Sequence, residues 1–162
     1  MSEVLIRQVR LDELDVFADV IRKSFITVAG DFGLTEQNCP TNGAFIQTER
    51  LLSDWDNGNV MAGLFAVGKP AGFAQLAQKD AAVFELCKVA VLPQFRHEGY
   101  GARLLNWARE TVREKGGSKI TIGIIEENTV LKSWYQSYGF LHTGTCVFSH
   151  LPFTVGFMEL GV

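Results

Sequence analysis

The sequence predicts a mixed α/β (α+β) domain in which a mostly antiparallel central sheet of about seven strands is flanked by four helices. Three observations carry this. Three apolar segments run almost unbroken from residue 60 to residue 91, with a hairpin signal, Gly68-Lys69-Pro70, between the first two. Two amphipathic segments precede that block. After it, helical and strand patterns alternate singly, which places helices on both faces of the sheet. The 162 residues, 47% of them apolar, suffice for one domain (residues 1–162) with its own core.

Taken in order, residues 4–9 read as a short strand. Asp12 looks like the N-cap of a first helix whose Leu14, Phe17, Ala18, Ile21 and Phe25 share one face. Residues 27–42 hold two Gly, a Pro and several short polar residues, and read as a loop of functional length. A second helix is expected over residues 44–55, stopped by Asp56-Asn57-Gly58. Segments 60–67, 71–78 and 82–91 are the central strands, the last ended by Pro93. Residues 101–115 form the strongest helix, with Leu104, Leu105, Ala108 and Val112 on one face and charges on the other, and Gly116-Gly117 stops it. Lys119–Ile125 is a β-branched strand and residues 128–138 a short helix closed by Gly139. Residues 140–148 and 154–160 are two final strands around Leu151-Pro152.

Composition narrows the function classes. A net charge of −3 argues against a sequence-independent nucleic-acid binder, which needs a Lys/Arg excess to displace counterions. No apolar run approaches the roughly 20 residues of a membrane span. The opening Met-Ser-Glu-Val-Leu-Ile-Arg lacks the basic and apolar regions of a leader. Cys39, Cys87 and Cys146 are odd in number and widely spaced, which fits a reducing cytoplasm. The expectation is a cytoplasmic chain with neither nucleic-acid nor membrane partners.

The most informative stretch follows the third central strand: Val89-Ala90-Val91-Leu92-Pro93-Gln94-Phe95-Arg96-His97-Glu98-Gly99-Tyr100-Gly101-Ala102. A buried strand runs into a loop, and the loop into the N-terminus of the strongest helix. Gly99 and Gly101 let backbone approach a ligand, while a helix start offers unpaired N–H groups and a positive dipole end to an anion. Arg96 adds a planar cation. The same glycines would also serve a plain tight turn. A dinucleotide fold would need a third Gly where Leu104 stands, and a P-loop would need Gly-Lys-Ser/Thr, which is absent.

With these motifs, residues 84–140 resemble the GNAT superfamily of acyl-CoA-dependent N-acetyltransferases. The first motif reads Arg96-His97-Glu98-Gly99-Tyr100-Gly101 followed by Ala102, after a strand ending Val91-Leu92-Pro93. The second is Asn128 through Tyr135-Gln136-Ser137-Tyr138-Gly139-Phe140, joined to the first by a helix and a strand. The order of the remaining elements extends the resemblance over nearly the whole chain. It implies that backbone amides of residues 96–102 hold the pyrophosphate of coenzyme A and that the strand Val89, Ala90, Val91 bonds the pantetheine arm and supplies an oxyanion donor. It further implies that acetyl-CoA is a co-substrate attacked directly by a primary amine, with no metal.

Such a transfer needs a neutral amine, a donor for the tetrahedral oxyanion, and a proton for the leaving thiolate. A Tyr phenol titrates at about 10, close enough to a thiol to share a proton. Asn128 and Tyr135 lie seven residues apart, roughly two turns, and share a helix face. The resemblance places the general acid at Tyr135 rather than Tyr138. Glu85 stands in an apolar strand, where an unpaired carboxylate is costly, and desolvation would raise its pKa toward that of a general base. Strict alternation puts it on one face with Cys87, Val89 and Val91, and Lys88 on the other as a structural residue. Cys87 reads as a small hydrophobe.

His142, Cys146 and His150 share a strand face, but a four-residue step spans about 13 Å, so they do not converge on one ion. The acceptor is expected beside loop 27–42, where Asp31 and Glu36 would attract a cationic amine and Phe32 and Asn38-Cys39-Pro40 would shape a wall, and beside the turn at residues 150–153. Phe148, Phe153 and Phe157 suit an acceptor pocket or a homodimer contact. The alternatives are an acyl-CoA-binding module without chemistry and a nucleotide-binding enzyme using the same loop.

Overall fold

The computed structural model describes residues 3–162; Met1 and Ser2, part of the stretch read as lacking a leader, lie outside them. Seven strands form one sheet: β1 (Val4–Gln8), β2 (Val60–Ala66), β3 (Lys69–Gln78), β4 (Val83–Val91), β5 (Lys119–Ile125), β6 (Leu141–Val147) and β7 (Thr154–Gly161). Their order is β1-β2-β3-β4-β5-β7-β6, antiparallel at each junction except the parallel β4/β5 pair. The helices are α1 (Leu14–Asp31), α2 (Thr48–Asp56), α3 (Tyr100–Glu114) and α4 (Thr129–Tyr138). This is the mixed, mostly antiparallel sheet with four helices that the sequence predicts.

Each face of the sheet has its own core. On one, Phe17, Ala18 and Ile21 of α1 and Leu51 of α2 pack on Met61, Phe73 and Ala90. On the other, Leu104, Leu105, Ala108 and Val112 of α3 and Tyr135 of α4 pack on Leu76, Phe84, Leu86 and Ile120. The first contact is tight. A Cβ at Gly63 would stand 2.4 Å from Phe17 Cζ, so β2 can pass beneath that ring only as glycine.

Three boundaries differ from the sequence expectation. Asp12, expected as the N-cap of the first helix, lies inside a 3-10 turn, Leu11–Glu13, and α1 begins at Leu14. Residues 27–31, expected as loop, continue α1, because Ala29 is buried in a third cluster with Leu34, Cys39 and Ala44. Tertiary burial overrides the turn chemistry, and the helix ends at Phe32, before Gly33 at φ 64°. Residues 44 and 45 belong to a 3-10 turn, Gly43–Phe45, whose Asn42 side chain accepts from Ala44 N–H at 2.9 Å, and α2 begins only at Thr48.

The entry to α1 is pinned by Glu13. Its carboxylate accepts both Arg7 terminal nitrogens at 2.9 and 2.8 Å, and Arg10 N–H at 2.9 Å. The Arg7 bonds, with Arg10, hold this carboxyl at about 2, far below its ordinary 4.5. A depressed folded pKa stabilises above the unfolded value and is lost as the pH falls through the folded one. Glu13→Gln is therefore expected to be less stable than wild type at neutral pH. Urea midpoints of the two should converge between pH 4.5 and about 2.

Candidate active site

The site begins where two strands part. β4 and β5 pair only at Val83↔Lys119, Phe84↔Ile120 and Glu85↔Thr121. Along β3 the register then steps from Gln75↔Cys87 to Phe73↔Ala90, so β4 carries one extra residue, and Lys88 there has φ 55°. That bulge bends β4 off β5. A cavity of about 900 Å³ opens between them, lined by Leu86 through Val91 on one side and by Ile122 through Ile125 on the other. Leu92 N–H is bonded back to Ala71 at 2.9 Å, so by alternation Val91 N–H points away from β3 and toward the cleft.

At one end of the cleft lies the glycine-containing loop. Pro93–Phe95 form a 3-10 turn, His97 and Gly99 take φ 66° and 80°, and α3 starts at Tyr100. Among the described residues, no protein acceptor takes a hydrogen bond from the backbone N–H of residues 97–102. His97, Gly99, Tyr100, Gly101 and Ala102 line the cavity. Consecutive free amides at the start of a 15-residue helix are an anion cradle.

Beside this loop stands α4, whose Trp134 ring packs against Gly101. Asn128 caps it, its side-chain oxygen accepting Leu131 N–H at 3.2 Å, which leaves its amide NH2 to the cavity it lines. Tyr135 is 6% exposed and lines the same space. Trp134, ring centroid 4.9 Å away, and Phe140, at 5.3 Å, hold its ring edge-on, and its hydroxyl makes no hydrogen bond among the described residues. Burial, with Cys87 nearby, pushes the phenol well above its ordinary value of 10, so it remains protonated at neutral pH. Tyr138 is turned away, donating to Asn106 on α3.

Behind the bulge lies a charged group that the motifs do not reveal. Asp54, 8% exposed on α2, accepts from Gln75 Nε2 at 3.0 Å, Lys88 Nζ at 3.1 Å and Arg50 Nε at 3.4 Å. Burial opposes its ionisation, but the Gln75 bond, the charge and bond of Lys88 and the charge of Arg50 prevail and hold its carboxyl below the usual range. Lys88 and Arg50 both line the cavity. The available signal was Gln75 and Lys88, polar residues inside otherwise apolar strands, which require a buried partner.

The family follows from comparison. The Acetyltransferase (GNAT) family profile matches residues 33–140, more than half of the chain. The chain belongs to the GNAT acetyltransferase family. It is 28% identical over 161 residues to an uncharacterized N-acetyltransferase of Lactobacillus delbrueckii subsp. lactis, covering 91% of this chain and 90% of that one. Its fold is that of the PaiA N-acetyltransferase of Thermoplasma acidophilum, solved in complex with coenzyme A (TM-score 0.83, 20% identity, 99% of each chain). It is likewise that of yncA, a putative acetyltransferase of Salmonella typhimurium solved with acetyl-CoA (TM-score 0.72, 18% identity, 98% of this chain and 93% of that one).

As a GNAT acyltransferase, the chain departs from four site expectations. Glu85 is not buried: its side chain is 43% exposed, pairs with Lys79 at 3.7 Å, and does not line the cavity. Alternation failed there because the bulge shifts it. Glu85 and Cys87 share their face with Ala90 and Leu92, whereas Val89 and Val91 pack on the α3 side. Lys88, expected to be merely structural, lines the cavity. The Arg96 guanidinium is committed to α1, donating to Ser24 O at 2.7 Å and Thr27 Oγ1 at 3.1 Å, although Arg96 still lines the cavity. Glu98 does not line it.

The two glycines also differ. Gly99 has open space where a Cβ would stand, but its φ is left-handed, whereas a Cβ on Gly101 would meet the Trp134 ring at 2.8 Å. Cys87 is half-buried in the cleft wall, and desolvation pushes its thiol up to about 11, so it is no thiolate nucleophile. His142 is committed to Glu126 at 2.9 Å. Of the expected acceptor wall, Cys39, Pro40, Leu151 and Phe153 line the cavity, while Asp31, Phe32, Glu36, Phe148 and Phe157 do not.

Proposed function

We propose that this protein transfers an acetyl group from acetyl-CoA to a primary amine, which attacks the thioester carbonyl directly within a ternary complex. The observation that carries the reading is one cleft lined both by free backbone amides at a helix start and by a protonated tyrosine without a hydrogen-bond partner among the described residues. Solved structures of this fold with coenzyme A and with acetyl-CoA support the ligand.

Backbone N–H groups of residues 97–102 would hold the pyrophosphate, as donors that cost no reorganisation. The free edge of β4 at Val89, Ala90 and Val91 would bond the pantetheine arm and receive the thioester oxygen as it gains charge. The thioester supplies the acyl group. As the new C–N bond forms and the C–S bond breaks, Tyr135 gives its proton to the departing sulfur, and the surplus proton of the attacking nitrogen passes through solvent to restore the phenol. No Asp or Glu lines the cavity among the described residues, so the amine must arrive, or become, neutral without a carboxylate beside it.

Thermal-shift screening tests the reading directly. Acetyl-CoA should raise the melting temperature where NAD and ATP do not, and an amine panel should release free CoA. Stabilisation by acetyl-CoA with no CoA release from any amine would reduce the protein to a binding module.

A further inference from the structure

The acceptor half of the cleft has a definite chemical character. Its walls are apolar and aromatic, contributed by Phe25, Phe45, Ile46 and Phe153. Besides Arg96, whose guanidinium is bonded to Ser24 and Thr27 of α1, its charged lining is Lys88 and Arg50, with no carboxylate among the described lining residues. Asp54 fixes both cations from behind without reaching the cavity surface. It engages only Arg50 Nε and one proton of Lys88, so the two Arg50 terminal nitrogens and the remaining Lys88 protons make no protein hydrogen bond among the described residues.

A cationic amine entering here would meet two cations and no counter-charge, which argues against polyamines and against lysine-rich segments. An acceptor carrying its own carboxylate would instead satisfy the unused donors with charge-assisted bonds. The spacing suits a compact one. Lys88 sits at the bulge where the cleft opens, so a carboxylate held there keeps the amine beside the β4 edge. In an α-amino acid these two groups are attached to the same carbon.

Resting on the acetyltransferase reading, we infer that the acceptor is a free α-amino acid with an apolar side chain. Arg50 and Lys88 bind its carboxylate, and the Phe25, Phe45 and Phe153 surface takes its side chain. Arg50 and Lys88 are thus specificity-determining residues.

The test compares matched acceptors: L-phenylalanine and L-leucine against phenethylamine and isoamylamine, which lack only the carboxylate, and against spermidine. The amino acids should exceed their decarboxylated counterparts in kcat/KM by about 100-fold, the scale of two charge-assisted hydrogen bonds. Arg50→Gln should raise KM for the amino acid about tenfold, as for one charge-assisted bond, with Kd for acetyl-CoA unchanged within a few-fold. Lys88→Gln alone strands a buried Asp54, so Asp54→Asn/Lys88→Gln provides the second arm and should cut the preference for the carboxylate about tenfold. Equal or better transfer to the decarboxylated amines or spermidine would overturn this inference and leave the acetyltransferase reading standing. Transfer to none of these acceptors would overturn both.

Discussion

Tyr135→Phe is expected to lower kcat about 100-fold while leaving Kd for acetyl-CoA within a few-fold of wild type, the pattern of a lost general acid. The substitution is unusually clean here. The ring is clamped edge-on between Trp134 and Phe140, and the hydroxyl makes no protein hydrogen bond that its removal could break. Packing and stability should therefore barely move. Tyr138→Phe is the control: it removes the bond to Asn106 between α3 and α4, and should cost stability more than turnover. The pH profile adds a second readout. Burial raises the Tyr135 phenol, so it stays competent to donate above pH 10, and any alkaline fall in kcat below that must come from another group. Wild-type turnover in Tyr135→Phe would exclude it as the proton donor.

Gly99→Val is expected to weaken acetyl-CoA binding by about 10–100-fold. Gly99 sits at φ 80°, with open space around the missing Cβ, so the obstacle is backbone conformation rather than collision. A valine would leave that region, turning the loop and scattering the free N–H groups of residues 97–102. Forcing it back on binding costs about 1–3 kcal/mol, which is about that change in Kd. Gly116→Val separates this from simple strain. Gly116 has φ 81° and equally open space, but it lies beyond the other end of α3 and does not line the cavity. It should lose comparable stability and bind acetyl-CoA normally. Isothermal titration of the two variants decides the matter: equal affinities would mean that the loop is only a turn.

Much of this was legible in the chain because local and long-range preferences agreed. The β-branched run Lys119–Ile125, the amphipathic pattern of α3 and the hairpin between β2 and β3 form where the residues predict. Asn128 and Tyr135 do share a helix face toward one cavity. What alternation could not convey was its own interruption. Nothing in Glu-Leu-Cys-Lys-Val-Ala-Val marks the residue at which the ladder slips, because the bulge residue is a lysine rather than a glycine. From that single shift follow the separation of Val89 and Val91 from the face of Glu85 and the overlooked cavity role of Lys88. Arg96 illustrates a second limit. A cation in a phosphate-binding motif looks like a ligand for phosphate, yet its guanidinium contacts α1, some seventy residues earlier in the chain.

β4 is one residue longer than an unbroken ladder with β3 would require, since the same pairing resumes on either side of Lys88. Shortening the strand by that residue would remove a left-handed lysine, straighten β4 and let it zip along β5 to the end. The product would be a more regular sheet with more backbone bonds, and there would be no gap in it for a substrate. Selection for sheet regularity alone would favour the deletion. The retained residue is a trade of structural perfection for activity, concentrated at a single codon.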